Sequence, residues 1–98
     1  AVLVLYDALL DYRDEPITRL NLAVALAEVR GPAAALAEVE ALAHAGLADF
    51  LPYRALRADL LARTGQDAAA RDAYDAALRL APDAAERRWL EQQRVRCT

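Results

Sequence analysis

The sequence predicts an all-α chain built from antiparallel helical hairpins, and three observations carry that prediction. Glycine and proline together number seven, β-branched residues are scarce, and alanine supplies much of an apolar share of 57%. Strands therefore have little support, while helices have a strong former that adds little bulk. Apolar residues recur at three- and four-residue intervals, the signature of one helix face. Gly31 and Gly65 stand 34 residues apart, each after one amphipathic stretch and before another, so the helices come in repeated pairs. At 98 residues the chain has the length of one domain, 1–98, with a thin core.

From the beginning, residues 2–12 read as a helix with Leu5, Leu9 and Tyr12 on one face, the second helix of a preceding hairpin. The opening run Ala1-Val2-Leu3-Val4-Leu5 starts like the apolar stretch of a signal peptide. It lacks a positive leader, a cleavage site and sufficient length, and Asp7 and Asp11 interrupt it. The sequence contains no methionine, even at residue 1, and reads as a piece of a longer protein. Pro16 marks the next helix start.

Repeat one is expected over residues 17–50. Leu20, Val24, Ala27 and Gly31 serve its first helix, and Pro32 suits the first turn of the second, where a missing N–H costs nothing. That second helix should run from Ala33 to about Ala43, carry Leu36, Val39 and Leu42 inward, and end at Gly46. Repeat two is expected over 51–84. Ala58 is the small residue where its helices touch, Leu61 follows one turn on, and Gly65 closes the helix in the left-handed conformation. Asp67 can cap the second helix, whose Ala70, Tyr74 and Ala77 share a stripe, and Pro82 stops it. A terminal helix over 83–96 should cover the last exposed face of the array. It starts at Asp83 and Glu86, spaced as in a capping box. Trp89 and Leu90 should enter its apolar stripe, with Arg87, Arg88, Glu91, Arg94 and Arg96 turned to water. The total is about six helices, with breaks near Pro16, Gly31, Gly46, Gly65 and Pro82.

A 34-residue period of helix, tight turn, helix resembles the tetratricopeptide repeat, whose hairpins stack as a right-handed superhelix. Repeat two lacks that family's large aromatic in the first turn of the first helix. Arg54 stands there, and neighbouring Tyr53 can substitute by a small rotation.

A net charge of −3 argues against free nucleic acid as the main partner. The charge is uneven, −5 over residues 1–50 and +2 over 51–98, and every basic residue is arginine, as high-GC codon bias produces. Cys97 is the lone thiol, so no intramolecular disulfide forms, which suits a reducing cytoplasm; at the penultimate position it is expected to fray without a role. His44 is the only histidine, in what reads as the last turn of a helix, so no histidine-based metal cluster can form within one chain. Serine is absent, and Thr18, Thr64 and Thr98 have no base nearby in sequence. Several acids sit three or four residues from an arginine, as with Asp59 and Arg63 or Asp75 and Arg79, which is ordinary surface pairing. No glycine-rich phosphate loop is present. No catalytic residue, cofactor or metal is expected; the expected partner is another protein, with no membrane involved.

The partner-facing side of each first helix should carry Thr18, Asn21, Ala25 and Glu28 in repeat one, and Ala55, Asp59, Ala62 and Arg63 in repeat two. One asparagine and one arginine do not make the carboxylate clamp of some tetratricopeptide grooves. Asn21, Glu28, Asp59 and Arg63 are nonetheless the candidate partner-binding residues, as polar groups among small alanines. The plain alternative is a solvated surface on which Asp59–Arg63 is an i, i+4 pair.

One resemblance is more specific than the repeat. The string Asn21-Leu-Ala-Val-Ala-Leu-Ala-Glu-Val-Arg-Gly-Pro32, continuing to Leu36, resembles the C-terminal extension of a group of bacterial extracytoplasmic-function (ECF) sigma factors. So do Tyr6-Asp7-x-Leu9-Leu10, Arg57-Ala58-Asp59-Leu60-Leu61, and Ala85-Glu86-Arg87 with Trp89-Leu90. Leu22 replaces a usual arginine and Trp89 a usual phenylalanine. The resemblance covers about residues 3–92. It implies the regulatory end of a transcription initiation factor, actinobacterial by its arginine and alanine bias, whose promoter-reading and polymerase-binding helices lie N-terminal to these residues. Its partners would be the factor's own N-terminal domains, RNA polymerase or a regulatory effector. The alternative is a tetratricopeptide adaptor from an unrelated cytoplasmic protein.

Overall fold

The computed structural model describes residues 15–97, and the expected helix over 2–12 lies outside them. Among the described residues there are five α-helices and no strand: α1 Glu15–Arg30, α2 Pro32–Ala41, α3 Leu51–Arg63, α4 Asp67–Leu80 and α5 Ala84–Val95. The chain falls into two compact units, one ending at Leu47 and the next beginning at Ala48.

In the first unit, α1 and α2 form a hairpin. The turn between them is a single residue, Gly31, held at φ +93°, in the half of backbone space that side chains rarely enter. Pro32 opens α2 without a lost donor, as expected. The buried stripe of α1 is Leu20, Ala23 and Ala27, answered by Ala35 and Val39 of α2 and by Leu42 just beyond it. Val24, expected inside, is 49% exposed. Positions 23 and 24 lie about 100° apart on the helix wheel, and the small alanine takes the contact that lets the two helices approach. α2 ends sooner than expected, at Ala41, because the amides of Leu42, Ala43 and Ala45 bond three residues back and wind the chain into a turn. His44 therefore sits past the helix in an exposed turn, not within its last turn.

In the second unit, α3 and α4 form the next hairpin and α5 packs on α4. The α3 terminus is a Schellman motif. The Gln66 amide donates to the Leu61 carbonyl (2.9 Å) and the Gly65 amide to Ala62 (3.1 Å), with Gly65 at φ +81°. The Thr64 hydroxyl donates to the carbonyls of Leu60 and Leu61, engaging two acceptors of the last turn. Asp67 is not the cap expected of it. Gln66 occupies that position without a side-chain bond, and Asp67 opens the helix, where its charge still favours the N-terminal dipole. The core is small-on-large: Ala58 and Leu61 of α3, and Ala70, Ala73, Tyr74 and Ala77 of α4, are all buried, with the Tyr74 ring as the bulk between alanines. Tyr53 is buried too, and the Arg54 guanidinium lies 5.8 Å from its ring centroid while Nε donates to the Ala48 carbonyl.

α5 is capped by Asp83, whose carboxylate accepts from the Glu86 amide at 2.8 Å, as the spacing predicted. Leu90 is buried, but Trp89 is 50% exposed. Adjacent positions lie about 100° apart on the helix wheel, and the buried side of this segment holds Leu90 and, seven residues on, Cys97. Cys97 is not frayed: it is buried, and its carbonyl accepts from the Arg71 guanidinium at 2.5 Å.

Candidate functional site

The four residues expected to meet a partner divide between the two units. In the first, Asn21 and Glu28 are both exposed on α1. Ile17, Asn21, Val24 and Glu28 follow at four-, three- and four-residue spacing, so they form one open face, on which Ile17 and Val24 are exposed large apolar side chains. Val24, lost to the core, is gained by this surface. A shallow cleft of about 240 Å³ opens elsewhere in the unit, lined by Pro16, Arg19, Glu38, Ala41, Leu42 and Ala45.

In the second unit, Asp59 and Arg63 pair at 3.6 Å with both side chains partly exposed. A pair so exposed contributes about 0.2–1 kcal/mol, so it orients two charges without holding the fold. One turn before Asp59 on the same face stands Ala55, and one turn before that Leu51. Both line a cleft of about 290 Å³ completed by Ala85, Glu86, Trp89 and Leu90 of α5. The lining is apolar apart from Glu86. The predicted residue Asp59 thus continues a face whose apolar part was not expected, because the cleft needs residues of α3 and α5 together, with the whole of α4 between them in sequence. The one signal in the sequence was Trp89, a lone tryptophan among the charges of α5.

Tyr74 lies close enough to this face to feel it. Burial, then the Asp59 carboxylate, push its phenol up to about 12. The sign of the consequence follows. Below pH 10 the phenol is neutral in both states and its contribution to stability is complete. Between pH 10 and about 12 only the unfolded chain loses the proton, so stability falls. The loss reaches at most about 2–3 kcal/mol. Urea unfolding of wild type and Tyr74→Phe at alkaline and neutral pH checks this: wild type should lose more stability than the phenylalanine variant.

Among the described residues, no group of three histidine, cysteine, aspartate or glutamate side chains is placed to hold a metal ion, and no helix is long and apolar enough to cross a membrane. The open helix faces carry apolar side chains interspersed with single polar groups. Comparison with protein-family models, with curated proteins and with solved structures gave no match to the chain.

Proposed function

We propose that the chain is the protein-binding, regulatory C-terminal domain of an ECF-type RNA polymerase sigma factor, working in the cytoplasm of an actinobacterium. In this reading its hairpins are tetratricopeptide-like repeats that stack as a right-handed superhelix, with residues 2–12 supplying a sixth helix. It acts by contact, without catalysis or cofactor and without touching DNA itself. Its partner is the factor's own N-terminal domains, the polymerase or a regulatory effector.

The observation that carries the reading is the pair of left-handed glycines, Gly31 and Gly65, 34 residues apart and each closing the first helix of a hairpin. They fall inside or beside the strings that resemble the sigma-factor extension, and both hairpins present an open face with apolar and polar groups mixed, around Asn21 and Glu28 in one and around Asp59 in the other. Such mixed faces suit protein partners better than nucleic acid, which a negative domain repels.

The test is charge reversal in the full-length factor. Glu28→Arg and Asp59→Arg, made together, should leave circular dichroism and urea unfolding close to wild type and change transcription from the cognate promoter several-fold. A normally folded double variant that transcribes at the wild-type rate shows that these faces are not the working surface.

A further inference from the structure

The attachment of α5 differs in kind from the packing of the α3–α4 hairpin. Ala58 and Leu61 are buried on α3, and Ala70, Ala73, Tyr74 and Ala77 on α4. α5 itself buries Leu90, with Cys97 just past its end, and leaves Trp89 and Val95 at 50% and 65% exposure. What it has instead is a row of guanidinium bonds. Arg71, Asp75 and Leu78 occupy one stripe of α4 at four- and three-residue spacing, and each takes one polar link from the antiparallel α5 segment. Arg71 donates to the Cys97 carbonyl at 2.5 Å. Asp75 receives both Nε and Nη2 of Arg94, at 2.6 and 3.3 Å. The Leu78 carbonyl accepts from Arg87 at 2.8 Å.

We propose that α5 is a releasable cap: it detaches from α4 as a unit while the α3–α4 hairpin stays folded, and the Arg94–Asp75 bridge is its latch. Local opening draws on elements with few buried apolar contacts, and α5 is such an element. Both latch side chains are about 40% exposed, so mobile ions reach them and weaken the bridge. The last face of the unit is therefore covered or uncovered according to ionic strength, without unfolding the hairpin beneath it. This holds for the chain whether or not it belongs to a sigma factor.

Native-state hydrogen exchange on the whole chain tests the proposal. Amides of α5 should exchange faster than those of α4 and with a shallower dependence on urea, since less surface is exposed on opening. Arg94→Gln should speed α5 exchange about three- to fivefold, the upper range for a partly exposed pair, and leave α4 exchange unchanged. Raising NaCl from about 0.05 M to about 0.5 M should speed α5 exchange in wild type and have less effect in Arg94→Gln. Cys97, the lone thiol, gives an independent reading: its labelling by a thiol reagent should accelerate by the same factor. A thiol placed by Leu90→Cys in a Cys97→Ala background separates release of the whole helix from fraying of its end, because only release exposes both positions. The proposal is overturned if α5 and α4 amides exchange with one common urea slope. It is overturned equally if Arg94→Gln accelerates Cys97 labelling while the exchange of amides around Leu90 stays at the wild-type rate.

Discussion

Replacing Tyr74 with alanine should cost about 3–5 kcal/mol, the range for emptying a buried aromatic site, and so a large share of the stability that a domain of this size has. The ring is 1% exposed and flanked along α4 by Ala70 and Ala77, both fully buried, so the surrounding side chains are too short to collapse into the space. Tyr74→Phe keeps the ring that fills the site and should be far milder. Urea unfolding followed by circular dichroism measures both. A loss below about 1 kcal/mol for the alanine variant would show that Tyr74 does not fill the α3–α4 core, since even modest core truncations usually exceed that.

The second large effect is expected in the first unit. Leu20→Ala should cost about 2–4 kcal/mol, as for other fully buried leucines. The side chain is 3% exposed, and its neighbours on the buried stripe, Ala23 and Ala27, have little bulk to replace it. Val24→Ala, one turn away but on the open face, should stay within about 0.5 kcal/mol. The contrast is the informative quantity. If the two substitutions cost the same, α1 is rotated relative to the stripe described above. On the proposed sigma-factor reading, the same Val24 change in the full-length protein should alter transcription if the open face of α1 meets a partner.

The helix boundaries at Gly31, Gly65 and Pro82 were legible in the sequence because glycine and proline set them through backbone conformation alone, whereas the end of α2 at Ala41 was not. Gly31, Gly65 and Pro82 each break the chain where their own allowed φ requires it, with no help from distant residues. The α4 stripe was legible for a related reason: Ala70, Tyr74 and Ala77 contrast in size with nothing ambiguous between them. Rotation about a helix axis was harder to read where two apolar residues adjoin. Val24 and Ala23 are both acceptable inside, as are Trp89 and Leu90, and the choice is made by how closely the partner helix approaches. Bulk pointed to Val24 where Ala23 is the buried one, and of Trp89 and Leu90, both expected inside, only Leu90 is buried. Asp67 misled by type, since aspartate favours both the cap and the first turn. Cys97 was unreadable locally, because its burial depends on Arg71, 26 residues earlier in the chain. The cleft beside Trp89 was hidden likewise, and with it the apolar half of the face that carries Asp59. Asn21, Glu28 and Arg63 are exposed and Asp59 is partly so, while the apolar groups beside them emerged only from the fold.

The role we propose for this domain is to act on transcription through protein contact. Its most direct test is a promoter-directed transcription assay comparing the full-length factor with a version lacking residues 1–98, alongside a binding measurement of the isolated domain on promoter DNA. Deletion should change the level or regulation of transcription, and the isolated domain should not bind the DNA at physiological salt. Transcription and regulation unchanged by the deletion would contradict it.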